Sequence, residues 1–418
     1  MSGIYISKEE LQNTLNVGVI VKDLHKAFLD KYNEINENNL KKVNSLISSL
    51  IFCLFTQEIG LFGKQNKIYN YLEKYPTSQM HIALANFFEV INTKYENRSQ
   101  DLDDVLKTFP YIENEVFEDE IEVLQFSEEI RYLLLKKLAM DVDWSKVNPT
   151  IFSLILKDIF NLETIEKGVA GRETLENIHK VINPLFLDDL NNQFDKIKKI
   201  QNDQMKDGAL SGLKNYLSAL KFLDPACAGG CFLIETYISL RKLENKILSE
   251  ISNLNLLSNI VQISTRQFYG VEIDESAIMI AKLCFWIAKN QMLKQTLNLT
   301  QQNLELSLKD NPDLTLANAL RIDWQKVILK DELNYIISKV PCSGARWMSE
   351  RQKTDVLKVF GDKWKNVGEL DYATCWFKKL RITLKIPEFQ LLSLQQIQLI
   401  KVSKFQYYGS HCLKKVFI

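Results

Sequence analysis

The sequence lacks the features that mark a specialised environment. Its 418 residues hold 52 Lys plus Arg against 52 Asp plus Glu, so no net charge draws the chain onto a polyanion. Nucleic-acid binding would therefore have to come from a local patch or from other parts of a larger protein. No segment reaches about 18 uninterrupted apolar residues, and the opening MSGIYISKEELQ has no basic flank before an apolar stretch. Neither a membrane span nor a secretory leader is expected. The seven cysteines, Cys53, Cys227, Cys231, Cys284, Cys342, Cys375 and Cys412, are odd in number and scattered; no CxxC pairs with a second one or with a nearby histidine. A disulfide framework and a zinc site are both disfavoured, and a reducing, cytoplasmic compartment is expected. Internal repeats are absent. What remains, 46% hydrophobic and 25% charged residues, is a globular composition with material for two or three cores.

Over residues 1–150 the apolar positions recur at three-and-four spacing, as in Ile47, Leu50, Ile51, Leu54 and Phe55, without period-two alternation. The spacing predicts an all-helical domain, with breaks at Pro76 and Pro110 and a helix after Ser127. Residues 151–218 read as a connecting region whose lysines, Lys196 to Lys214, form a solvated face. From Ala219 the pattern changes. ALKFLDPACAGGCFLIETY reads as a short strand, a small-residue turn and an amphipathic helix, and QFYGVEIDESAIMIAKLCFWIA repeats the unit; LTLANAL and LNYIISKV are further strands. Alternating strands and helices predict a mainly parallel sheet with its ligand at the strands' carboxyl ends.

Two features bear on that ligand. After the first strand, Asp224 to Phe232 supplies small residues that let backbone approach a ligand, followed by the N–H groups of a helix start. The same turn could serve helix packing alone. After the second strand, Glu272 could accept both hydroxyls of a ribose, or could be a solvated acid at a strand end. Two matched strand ends favour a nucleoside-containing cofactor. Trp144, Trp324 and Trp376 are expected in the core rather than against a base. The spacing of Cys227 and Cys231 offers no third metal ligand nearby.

DPACAGGCFLIETY and YGVEIDESAIMIAKLCFWIA resemble the first two motifs of S-adenosylmethionine-dependent DNA adenine methyltransferases. The phrases LIFCLFTQEIGLF, NFFEVINT, FPYIENEVF, VDWSKVNPTIFSLI, NPLFLDDL, LANALRIDW, SGARWM and LDYATCWF narrow the resemblance to MmeI-like, type IIG restriction-modification methyltransferases. The resemblance implies a helical connector over 1–150, a linker over 151–218 and a class I, Rossmann-like methyltransferase domain over 219–379 that is incomplete at its C-terminus. It implies S-adenosylmethionine as cofactor and double-stranded DNA as partner, in a bacterial cytoplasm. No metal is expected, in keeping with four scattered histidines. Asp224, Pro225, Ala226, Gly229 and Gly230 would form the turn under the methionine part of the cofactor. Glu272 would hold the ribose, Ile273 would pack on the adenine, and Asn318 would meet its edge. In such enzymes the target adenine is flipped out, stacked on an aromatic side chain and hydrogen-bonded by an Asn side chain and a proline-linked carbonyl.

The sequence departs from that family in four places. Where the family has NPPF stand Lys339, Val340, Pro341 and Cys342. A lysine cannot accept from the adenine amino group, and it repels a sulfonium; a cysteine cannot stack a base, a loss of about 1–3 kcal/mol. No methyl transfer is expected. Ala228 replaces a glycine, at about 1–2 kcal/mol if the backbone there is left-handed. GVAGRET, Gly168 to Thr174, replaces a phrase that helps to cover the cofactor. Finally, Gln395 to Gly409 can be back-translated and shifted by one base to give STNSINQGEQVSILW, the phrase expected after the catalytic motif. A frameshift near Leu380 accounts for it and makes 380–418 an out-of-frame tail; an ordinary divergent terminal domain is the alternative. Two other functions stay open: a helical binding module carried on a damaged Rossmann-like scaffold, and an RNA or protein methyltransferase, against which the connector phrases speak.

Overall fold

The structure, a computed structural model, describes residues 5–32, 35–63, 66–112, 121–161, 174–252, 260–301, 310–361 and 369–385, and the backbone of 399–401. The phrase Gly168 to Thr174 falls almost wholly outside the described residues, as does most of Gln395 to Gly409. The chain divides into two compact units: Met1–Glu176 with Met279–Lys294 and Asn303–Asn311, and Asn177–Ile278 with Gln295–Gln302 and Pro312–Ile418.

The first unit is helical, as its spacing predicts. It contains α1 (Lys8–Leu29), α2 (Glu37–Glu58), α3 (Lys67–Leu72), α4 (Met80–Asn92), α5 (Asp104–Lys107), α6 (Glu128–Tyr132) and α7 (Pro149–Ile159). Side chains of Ser7, Asn36, Ser127 and Asn148 accept from backbone N–H groups one turn on, satisfying donors that a helix start leaves free. After α6 the helix widens into a π-turn over Leu133–Leu138, whose Leu134, Leu135 and Leu138 are buried. Gly18 lets α7 approach α1, since a Cβ there would lie 2.7 Å from Cγ2 of Ile155. Trp286 belongs to this unit and meets Phe52 with ring centroids 5.5 Å apart. Inside the unit, His25 stacks on Phe160 and shares a 2.8 Å hydrogen bond with Asn44 Oδ1, while Asn44 Nδ2 donates to the Phe160 carbonyl. Burial holds the His25 pKa down at about 4, partly offset by the Asn44 hydrogen bond.

The second unit begins within α8 (Leu175–Ile182), at Asn177, and continues with a π-turn at Asn183–Leu187, α9 (Asp188–Ile197) and α10 (Asp203–Ala219). These correct the expected linker: Phe186, Leu190, Phe194, Leu210, Leu213 and Leu217 are all buried, so the stretch is amphipathic helix packed in the unit. Lys214 is likewise not on a solvated face. It is fully buried, and desolvation lowers its pKa, with Glu244 opposing and Arg241 adding to the shift. The lysine density of the sequence masked the apolar stripe between the lysines.

The sheet follows: β1 (Phe222–Asp224), α11 (Cys231–Glu250), β2 (Phe268–Glu272), α12 (Glu275–Thr300), β3 (Asp313–Leu316), β4 (Tyr335–Ile337), α13 (Glu350–Phe360), α14 (Thr374–Leu384) and β5 (Leu399–Lys401). Strand order is β3-β2-β1-β4-β5; the first four run parallel and β5 pairs antiparallel with β4. The order reverses direction at β1, which places the ligand crevice of such a sheet at the carboxyl ends of β1 and its neighbours. The register aligns Phe268, Phe222 and Tyr335 across three strands, with stacked rings at centroid distances of 5.3 and 5.2 Å. Phe186 from the π-turn closes on Phe222 and Tyr335. The expected boundary near Leu380 falls inside α14, where Leu380 and Thr383 are buried, so the packing of the unit continues past it. Trp144, Trp324 and Trp376 are core residues, as expected.

Candidate functional site

The register partner of Asp224 is Gly270, two residues before Glu272, so the two strand ends singled out in the sequence lie side by side. Asp224 is buried, and its Oδ1 accepts from the Ala226 N–H at 3.0 Å, turning the chain sharply after β1. The Cys227 N–H donates to the Val271 carbonyl at 3.1 Å and ties the turn to β2. Gly230 N–H then donates to the Cys227 carbonyl at 2.8 Å. Ala228, first of the two central residues of this turn, has φ +48°, and Gly230 has φ +79°. The left-handed position foreseen for Ala228 is thus present, and the strain it carries is that of a Cβ near the following carbonyl. Gly230 begins α11 with no side-chain cap, leaving the first-turn N–H groups to face the loop.

The two loops are joined by one carboxylate. Glu272 Oε2 accepts from the Ala228 N–H at 2.8 Å, and Oε1 accepts from the N–H groups of Ile273 and Asp274 at 2.7 and 3.1 Å. Three backbone donors therefore occupy three of the roughly four lone-pair directions of the group. One acceptor direction, on Oε2, is left for a further donor. Gly270 is required where β2 passes the turn, because a Cβ there would lie 2.7 Å from both Cys227 Sγ and Leu314 Cδ2. Burial and the Asp224 and Glu272 carboxylates push the Cys227 thiol well up, so it is a neutral packing group.

Ile273 is 49% exposed beside this clasp, and Leu316, the register partner of Glu272, is 52% exposed. Leu316 was missed by the sequence reasoning; its only signal was the strand alternation in DLTL. Asn318 is held differently. Its Oδ1 accepts from the Leu320 N–H at 2.9 Å, and its Nδ2 donates to Asp355 Oδ2 at 3.0 Å. Asp355, on α13, is buried and also accepts from Arg321 Nε at 2.7 Å and the Tyr372 hydroxyl at 3.1 Å. Burial opposes its ionisation, but these three donors hold its carboxyl below the usual range. No sequence motif pointed to Asp355.

The segment Lys339 to Cys342, expected to stand where the family has NPPF, follows β4 after Ser338. Lys339, Pro341 and Cys342 are exposed and Val340 is partly buried against the core below. Ser338, one residue before, is buried with its hydroxyl unpartnered. Among the described residues no group of three or more His, Cys, Asp or Glu is placed to hold a metal ion, and no helix is long and apolar enough to cross a membrane.

Two family models match the chain: the MmeI DNA-methyltransferase domain over residues 197–391 and the MmeI helicase spacer domain over 41–117. Among curated proteins, DNA methyltransferase A of Bacillus subtilis (strain 168) is 32% identical over 361 residues, covering 84% of this chain and 39% of its own length. Among solved structures, that of the type IIL restriction-modification enzyme MmeI in complex with DNA superposes with a TM-score of 0.76 at 29% identity. That match covers 89% of this chain and 49% of the other. The chain thus spans less than half the length of each of these relatives.

Proposed function

With the chain MmeI-like in both its helical spacer and its methyltransferase domain, we propose that it is built to hold S-adenosylmethionine across the ends of β1 and β2. The reaction behind that architecture is methylation of the amino group of adenine in DNA, within a restriction-modification system. The observation that carries the reading is the Glu272 carboxylate joining the glycine-lined turn to the second strand. S-Adenosylmethionine, when bound, supplies a methyl group activated on a sulfonium centre. Asp224 shapes the turn, Gly229 and Gly230 let backbone approach the methionine portion, and the uncapped start of α11 suits its carboxylate. Glu272 suits the ribose, and Ile273 with Leu316 suits the adenine. The Asn318 amide reaches the adenine edge only with the orientation Asp355 gives it.

In this chain the transfer step lacks its residues. The target amino group needs an acceptor and the target ring needs a stacking partner, and Lys339 and Cys342 provide neither. We infer a cofactor-binding domain without methyl transfer. Titration calorimetry with S-adenosylhomocysteine tests the first half: saturable 1:1 binding is expected, abolished in Glu272→Ala. A pure scaffold would give no heat in either the native chain or Ala228→Gly. Incubation of unmethylated DNA with tritiated S-adenosylmethionine tests the second half, and measurable turnover by the purified chain would overturn it.

A further inference from the structure

The turn after β4 holds a side chain that neither the fold nor the cofactor site uses. Trp347 is 87% exposed, whereas Trp144, Trp286, Trp324 and Trp376 are buried. An indole left in water forgoes a large burial gain, so its exposure calls for a reason.

The turn presents this side chain rather than merely leaving it out. On one side, the Ser343 carbonyl accepts from the Tyr372 N–H at 3.0 Å, tying the segment to the start of α14. On the other, Met348 is buried in the same core cluster as Trp324 and Trp376. Ser349 then caps α13 through a reciprocal capping box with Gln352. Between these anchors, Ala345–Trp347 forms a single 3-10 turn closed by the Trp347 N–H on the Gly344 carbonyl at 2.8 Å. Fixing the backbone on both sides reduces the ordering entropy that a contact through Trp347 would cost.

The surrounding charge indicates what such a contact would meet. Although the whole chain is neutral, Lys339 to Lys353 contains Lys339, Arg346, Arg351 and Lys353 against Glu350 alone. Arg346, adjacent to the indole, is exposed, and Glu350 is paired with Lys353 at 2.7 Å. An exposed aromatic face beside an exposed arginine is the arrangement that stacks a base while holding its phosphate. A protein surface would favour a wider apolar patch without the cationic flank. The segment also leaves β4 at its carboxyl end, the edge of the sheet where the reaction centre of this architecture lies.

We propose that Trp347 is a nucleobase-stacking contact for DNA, supported by Arg346 on the adjoining phosphate. It engages an unstacked base, in a single strand or at an unpaired position, rather than a fully paired duplex. This proposal rests on the DNA-methyltransferase reading above.

The test uses the full chain and fluorescein-labelled oligonucleotides: a single strand, a duplex with one unpaired adenine, and the fully paired duplex. The chain is expected to prefer the first two. Trp347→Ala should weaken them by roughly 5- to 100-fold, while Trp347→Phe retains most of the affinity. Arg346→Ala should lower the slope of log affinity against log salt by about one. Binding of S-adenosylhomocysteine, unchanged in all three variants, shows that the domain is folded and the cofactor reading stands. Equal affinity of the native chain and Trp347→Ala for every oligonucleotide would overturn the stacking role and leave that reading intact. Absence of DNA binding by a chain that binds the cofactor analogue would do the same. Failure of both would remove the underlying reading as well.

Discussion

The backbone N–H of Ala228 donates to Oε2 of Glu272 at 2.8 Å, across 44 positions of sequence. A residue strained into the left-handed region thereby spans the gap between two parallel strand ends. The same bond fixes the carboxylate and the turn, so substitutions at either residue act on both.

Ala228→Gly removes the Cβ from a position with φ +48°. Relief of strain is offset in part by the greater freedom of glycine in the unfolded chain, leaving a net stabilisation of about 1 kcal/mol. Urea unfolding should show a higher midpoint at unchanged slope, and S-adenosylhomocysteine should bind at least as tightly. A lower midpoint would show that the turn does not strain alanine.

Gly270→Ala places a Cβ 2.7 Å from Cys227 Sγ and from Leu314 Cδ2. The Leu314 methyl lies at the end of a half-buried side chain and can turn aside, but Cys227 is buried in the turn and cannot, so the turn or the strand must shift, at about 1–3 kcal/mol. A second change, Cys227→Ala, should recover part of the loss by removing one of the two contacts. A neutral Gly270→Ala in denaturant unfolding would contradict the packing described.

Reinstating the tetrad by Lys339→Asn, Val340→Pro and Cys342→Phe supplies the acceptor and the aromatic face that the chemistry lacks. Transfer of tritium to unmethylated DNA is expected from the triple variant and not from the native chain. Cofactor binding without transfer by the triple variant would show that the missing determinants lie elsewhere in the larger architecture.

His25 gives the helical unit a pH dependence of known sign. Its pKa is about 4 in the folded chain against 6.5 for a free histidine. Above pH 6.5 the ring is neutral in both states and costs nothing. As pH falls from 6.5 towards 4 only the unfolded chain gains the proton, and stability drops by up to about 3 kcal/mol. His25→Gln keeps a donor for Asn44 without titrating, so its unfolding free energy should be flatter over that window. An unchanged slope would assign the acid sensitivity to other groups.

Much of the site was legible because its signals are local. A buried apolar strand, a small-residue turn and a helix start occupy consecutive residues, so DPACAGGCF and YGVEID announced their βα units, and the strain at Ala228 was expected from alanine standing where the resembling family has glycine. The buried places of Trp144, Trp324 and Trp376 followed from size and apolarity. Other features depended on residues far apart in the chain. Lys214 looked solvated because its neighbours are polar, yet its helix turns it inward to a buried charge pair. The sequence singled out Asn318, but not Asp355, 37 residues later, whose carboxylate accepts from its amide and orients it.

The sequence by itself determined the helical unit, the order of the βα units and the chemistry that Lys339 to Cys342 can offer after β4, since periodicity, turn chemistry and residue identity need no partner. Only the tertiary structure decided which polar side chains are enclosed, that Glu272 clasps Ala228, and that Trp347 alone among the described tryptophans named here stands out in solvent. Burial is a property of what a segment packs against, and that is set by contacts between residues the sequence keeps far apart.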